Sequence, residues 1–275
     1  MSKSQIVIII TGIVSVILLF SLPKIIVKSE KQLAEEKPES PKSDGHTAKL
    51  KDIHKVEISE SEKNRIEMLR NSFLSVSNKE KKTNFADSLI NAYRKIHQYD
   101  SAAKYSEMVS EMKPTALNWA KTADMYVEAY NFASDENKPV LNEKAREYYN
   151  KILDKDPGNL EVKSKLALTY VGGENPMQGI KILKEVLQTD PKNESALYNL
   201  GILSIQSGQY DKAVKRFEEL LNVNPKHSTG EFYLGVAWSN LGDKTKALEA
   251  FKKARELDTD PEFRSTVDSY IKELQ

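Results

Sequence analysis

The chain has 275 residues, with 41 Lys and Arg against 40 Asp and Glu, and no cysteine. So even a balance of charge sets up no global field that would select nucleic acid or a strongly acidic partner. The lack of cysteine excludes disulfides, thiolate chemistry and cysteine-ligated zinc.

The first patterned element is Ile6–Leu22, an uncharged run reading IVIIITGIVSVILLFSL. At about 1.5 Å per residue it spans roughly 26 Å, close to the roughly 30 Å of a bilayer core. Only Lys3 precedes it and no Ala-x-Ala pair follows, so residues 1–27 read as an uncleaved single-pass anchor rather than a signal peptide. Lys24, Lys28 and Lys31 outnumber Lys3, which favours a cytoplasmic C-terminal region. The general habit of bacterial N-terminal anchors points the other way, to an inner-membrane protein with its bulk in the periplasm. The expectation follows that habit, and the cytoplasmic orientation stays open. Residues 28–58 are rich in Lys and Glu, carry Pro38, Pro41 and Gly45, and have no sustained apolar period. Such a segment buries too little surface to offset its ordering entropy and is expected to be a disordered tether.

A helix pattern returns at Ser59, with Glu62 three residues on as in a capping box, and Ile66, Leu69, Phe73 and Leu74 on one face. Residues 59–82 are read as an N-terminal capping helix. The clearest pattern lies at 194–227. Leu197, Leu200, Gly201 and Leu203 recur at helical spacing up to Gly208. Tyr210, Ala213, Val214, Phe217, Leu220 and Leu221 then recur up to Pro225. Gly208 leaves the helical region cheaply and Pro225 restrains the residue before it, so the unit is a helix hairpin. The same pattern returns 34 residues later as Leu234-Gly235, Gly242, Ala247 and Phe251.

These residues resemble the tetratricopeptide repeat (TPR), which places Leu-Gly, Tyr, Ala, Phe and Pro at such steps. The resemblance implies an all-α fold: a right-handed superhelix of about five stacked hairpins plus capping helices, preceded by the membrane helix and the disordered linker. Within a domain at 83–275, the units fall at about 83–116, 117–159, 160–193, 194–227 and 228–261, with a cap at 262–275. The first departs from the pattern at Ile90 and Ser106. The second is too long: Pro114 and Pro157 stand 43 residues apart, a surplus assigned to the stretch around Pro139.

Catalytic motifs are lacking in the linear sequence. His46, His54, His97 and His227 show no metal-ligand spacing and read as solvated residues of the tether and turns. Gly172-Gly173 reads as a turn, without the string of a phosphate loop. No cofactor is expected. The resemblance implies instead that first helices line a concave groove for a protein or peptide segment. Its predicted lining includes Asn91 and Arg94 towards the N-terminal end and Tyr198, Ile202, Phe232, Val236 and Asn240 towards the C-terminal end. Asn84, Asp87, Asp124, Glu128, Lys163, Ser164, Leu168 and Ile205 fall on the same face. The chaperone-binding subfamily grips a C-terminal carboxylate with Lys, Asn and Arg. Asp87, Asn91, Tyr198 and Ile202 make no such basic cradle here, so an apolar segment is the expected occupant. Three functions are compatible with this reading. One is a membrane-tethered scaffold in envelope assembly, secretion or protein quality control. Another is a cytoplasm-facing receptor or co-chaperone, and the third an enzyme without a recognisable motif.

Overall fold

Amphipathic helices of 12–17 residues dominate the chain because apolar positions recur every three or four residues between capping residues and turns. The computed structural model describes residues 58–173 and 175–275. Among the described residues there are twelve helices and no strand. In order they are α1 (Glu60–Ser75), α2 (Lys79–Lys95), α3 (Tyr99–Met112), α4 (Ala116–Phe132), α5 (Lys138–Leu153) and α6 (Leu160–Val171). Then follow α7 (Pro176–Thr189), α8 (Glu194–Gln206), α9 (Tyr210–Val223), α10 (Ser228–Asn240), α11 (Lys244–Leu257) and α12 (Pro261–Leu274). Each helix packs on the next, so α2–α3, α4–α5, α6–α7, α8–α9 and α10–α11 form five hairpins with α1 and α12 at the ends. The expected anchor at Ile6–Leu22 and all of the tether except Ile58 lie outside the described residues. Among the described residues no helix is long and apolar enough to cross a membrane.

Local chemistry explains where the helices begin. Ser59 and Glu62 form the expected capping box: the Ser59 hydroxyl accepts from the Glu62 amide at 3.2 Å and donates to the Glu62 carboxylate at 3.2 Å. Asn78, Asn159, Asn193 and Asp260 cap α2, α6, α8 and α12 by accepting the amide three residues on, without a reciprocal acidic partner. The α2 helix starts at Lys79, ahead of the Thr83 boundary read from the sequence. Inside three of the five hairpins the chain reverses through a left-handed residue: His97 at φ 59°, Gly208 at 70° and Gly242 at 84°. The long second unit spreads its surplus. Its helices have 17 and 16 residues, where α8 and α9 have 13 and 14.

Small residues let the two helices of a hairpin touch. A Cβ added to Gly201 would lie 2.7 Å from the Phe217 ring, and one on Gly235 would lie 2.7 Å from Phe251. Both rings are fully buried and have no room to retreat. In the α6–α7 hairpin Gly179 fills this role, since its Cβ would strike Val171 at 2.6 Å. The substitution Gly201→Ala is therefore expected to lose about 1–3 kcal/mol to overpacking, outweighing the roughly 1 kcal/mol of helix propensity it gains. At exposed Gly208 an added Cβ meets nothing, so Gly208→Ala loses only the left-handed backbone cost of about 1 kcal/mol. Urea denaturation is the check, and a Gly201→Ala variant more stable than the parent by the full helix-propensity gain would show that the helix crossing does not depend on its glycine.

Candidate interaction surface on the first-helix row

The first helices of successive hairpins stand side by side, and side chains one repeat apart meet across them. Arg94 Nη2 of α2 donates to Glu128 Oε1 of α4 at 2.8 Å. Asp124 of α4 accepts from Lys165 Nζ of α6 at 2.9 Å and from the Tyr149 hydroxyl of α5 at 2.6 Å. The Tyr130 hydroxyl donates to the Gly172 carbonyl at the end of α6. Further along, α6 touches α8 and α8 touches α10 directly, and the Tyr198 and Tyr233 rings meet edge to face at 5.9 Å.

Two kinds of surface result. In the N-terminal half, Arg94, Asp124 and Glu128 are occupied with one another's repeats, while Asp87 and Asn91 are exposed. Of the unit at 160–193, Ser164 is buried and spends its hydroxyl on the Leu160 carbonyl, and Lys163 is half-buried. Aliphatic groups mark the C-terminal half: Leu168 is 40% exposed, and Ile202, Ile205 and Val236 are half-buried. Ile202 and Val236 each lie one helical turn beyond the layer that holds Tyr198 and Phe232. Asn240 is exposed, and its amide turns back to the Val236 carbonyl at 2.8 Å.

Besides Ser164, two of the expected lining residues differ from their reading. Phe232 is 3% exposed and presents no surface to a partner. The reason is α12, whose Phe263 and Tyr270 close over it at ring separations of 5.9 and 5.1 Å, with Phe251 at 5.6 Å on another side. Tyr198 is half-buried between hairpins, against Phe217, Tyr233 and the imidazole of His227. Burial pushes its phenol up to about 12. It is a brace between repeats with one edge on the row, not a free anchor.

A polar cluster that the linear sequence did not announce lies between α3, α4 and α5. Glu107 accepts from the Tyr126 hydroxyl at 2.6 Å, from Lys144 at 2.9 Å and from Tyr148 at 3.1 Å. Burial raises its carboxyl, but these donors outweigh it and the net shift is downward. Burial pushes the Tyr148 phenol up to about 12. All three donors serve the one carboxylate, so the cluster joins two hairpins. Among the described residues no group of His, Asp and Glu is placed to hold a metal ion.

Family models described as tetratricopeptide repeat match residues 174–230 and 204–261. A tetratricopeptide repeat protein from Parabacteroides merdae ATCC 43184 is similar at a TM-score of 0.55 and 17% identity, covering 78% of this chain and 82% of that one. A thermophilic TPR protein in Thermus thermophilus is similar at a TM-score of 0.51 and 18% identity, covering 68% and 97%. The fold is that of a tetratricopeptide-repeat protein. No curated protein matches the chain. In TPR terms the Leu-Gly pairs at 200–201 and 234–235 are the helix crossings described above, and the row of first helices is the face that carries the candidate site.

The corrected place of Phe232 has a measurable consequence. Phe232→Ala is expected to destabilise the TPR fold by about 3–5 kcal/mol, as for an aromatic ring deleted from a core. Ile202→Ala, at a half-buried position, should lose clearly less. Urea unfolding of both variants checks the order, and a Phe232 variant as stable as the parent would return that ring to the surface.

Proposed function

We propose that this protein is a membrane-tethered scaffold that holds an apolar segment of a partner protein along its row of first helices. The observation that carries the reading is the change in character along that row. Charged groups in the N-terminal half pair across repeats, whereas Leu168, Ile202, Ile205 and Val236 are aliphatic side chains left partly in contact with water. An extended or helical segment covering these four side chains removes apolar area from water at about 25 cal/mol per Å². The half-covered edge of Tyr198 adds an aromatic contact of the type that concentrates binding energy. Asp87 and Asn91 stand where a carboxylate clamp would need cations, which supports an internal apolar segment over a free C-terminus.

Tethering rests on the uncharged Ile6–Leu22 run, with residues 28–57 supplying reach. We place the repeats in the periplasm, in envelope assembly, secretion or protein quality control. The cytoplasm-facing receptor is the second reading, favoured by Lys24, Lys28 and Lys31 beyond the run. A reporter fused after Gln275 separates the two.

The groove is tested by selecting displayed peptides against the full chain in detergent. Selected sequences are expected to be rich in aliphatic residues. Ile202→Asp and Val236→Asp should each weaken them at least about tenfold, as charge is forced into a desolvated contact, measured at a temperature where circular dichroism shows each variant folded. Peptides that bind parent and variants equally would remove the site. Carbonate washing of native membranes tests the tether, and release of the intact chain would overturn it.

A further inference from the structure

The hairpin-to-hairpin turns share one plan, and the turn before α10 departs from it. Asn159 and Asn193 precede α6 and α8, and each side-chain oxygen accepts the amide three residues on, at 3.1 and 3.0 Å. His227 stands at the same place before α10. Its Nδ1 accepts the Gly230 amide at 3.0 Å and lies 3.1 Å from the Thr229 hydroxyl. The ring also stacks on Tyr198 at 5.4 Å, with 27° between the planes. Among the described helices, α10 alone takes its side-chain cap from an imidazole.

An amide oxygen accepts at every pH, but an imidazole nitrogen accepts only while it carries no proton. With Nδ1 facing an N–H, the capping ring is neutral and bears its proton on Nε2. A second proton has to go on Nδ1, where it points at the Gly230 N–H and sits at the positive end of a helix. We propose that His227 is an acid-sensitive latch: protonation releases the cap of α10 and the stack on Tyr198 together, loosening the C-terminal half of the first-helix row.

The surroundings set the direction. The turn contributes Lys226, while α10 contributes Tyr233 and Glu231, the latter paired with Lys253. From α8 come Tyr198 and Glu194, and the Glu194 carboxylate is already engaged by the Asn224 amide at 2.8 Å. Leu220 of α9 lies across the first turn of α10 and brings no charge. Burial depresses the imidazole and Glu194 pulls it up less, so the folded-state value lies below the ordinary 6.5. The neutral ring is therefore the form that folding favours. Its contribution is fully present above the unfolded value, and is lost as pH falls through about 6.5 towards the lower folded value. The latch does not depend on which partner the row holds.

The test compares the full chain in detergent with His227→Asn, which restores the cap used before α6 and α8 and cannot titrate. Above pH 7 the gap between the two melting temperatures should be constant. Below pH 6.5 the parent should fall progressively behind the variant. At pH 5 hydrogen exchange at the Gly230 amide should speed up about fivefold in the parent relative to the variant, the equivalent of one lost cap. Nitrogen chemical shifts of the parent at pH 7.5 should show a bare Nδ1 and a protonated Nε2. Parallel pH profiles for parent and variant, or a protonated Nδ1 at pH 7.5, would overturn the proposal.

Discussion

Close approach of two backbones over a missing side chain is the constraint on which this structure rests. Where Gly201 faces Phe217 and Gly235 faces Phe251, the ring occupies the volume a Cβ would need. That contact sets the depth of each hairpin and therefore the lateral spacing at which the next hairpin can pack. Because a repeat buries its faces only against its neighbours, a small error in one crossing is passed along the stack. The α6–α7 hairpin meets the same requirement differently. Gly179 lies on the second helix, and its space is taken by Val171 and the backbone of α6 rather than by an aromatic ring.

The joints between hairpins are not uniform. Towards the N-terminal end they carry hydrogen bonds: Arg94 with Glu128, Lys165 with Asp124, and Ser106 with Thr122 at 3.0 Å. Such pairs are directional and fix register, though half-exposed ion pairs add little net stability. Towards the C-terminal end the joints are made of rings and aliphatic side chains, which add stability but fix register less strictly. A polar half that specifies alignment thus continues into an apolar half with surface to spare, and the aliphatic row at Leu168, Ile202 and Val236 belongs to the second.

The periodicity in the sequence is a record of the crossings, so the hairpins from 160 onward are legible in the linear chain. Leu200-Gly201 and Leu234-Gly235 align by eye, and Ser59 with Glu62 marks the start of α1. The groove is legible only as a face. Which residues on it are free depends on what covers them from outside the repeat. Phe232 holds the same position as Tyr198, and only the docking of α12 distinguishes the two. Long-range polar partners such as Glu107 with Tyr148, 41 residues apart, leave no periodic trace because each repeat supplies a different residue. His227 is a half-buried cap, not the solvated turn residue that its place in the sequence suggests. Its alignment with Asn159 and Asn193 is the signal for that role, and it is easily passed over because imidazole is an uncommon cap.

An unbroken series of ring contacts makes the C-terminal end respond as a unit. Tyr198 touches Phe217 and Tyr233, Tyr233 touches Phe232, and Phe232 touches Phe251, Phe263 and Tyr270. Three successive elements, the last two hairpins and the closing helix, share this series. Its members are packed at core density, where a ring moves only if its neighbours move with it. A side chain at the edge of the series therefore acts on more than its own repeat. His227 is at that edge, in contact with Tyr198 and with the first turn of α10. A change there reaches the aliphatic row through Tyr198 and the closing helix through Tyr233 and Phe232. The N-terminal hairpins share apolar cores as well, but their ring contacts fall into shorter sets, such as Phe73 and Tyr93 on Tyr105 and Tyr126 on Tyr148. The aliphatic part of the first-helix row is thus also the part whose packing a single titrating side chain is placed to alter.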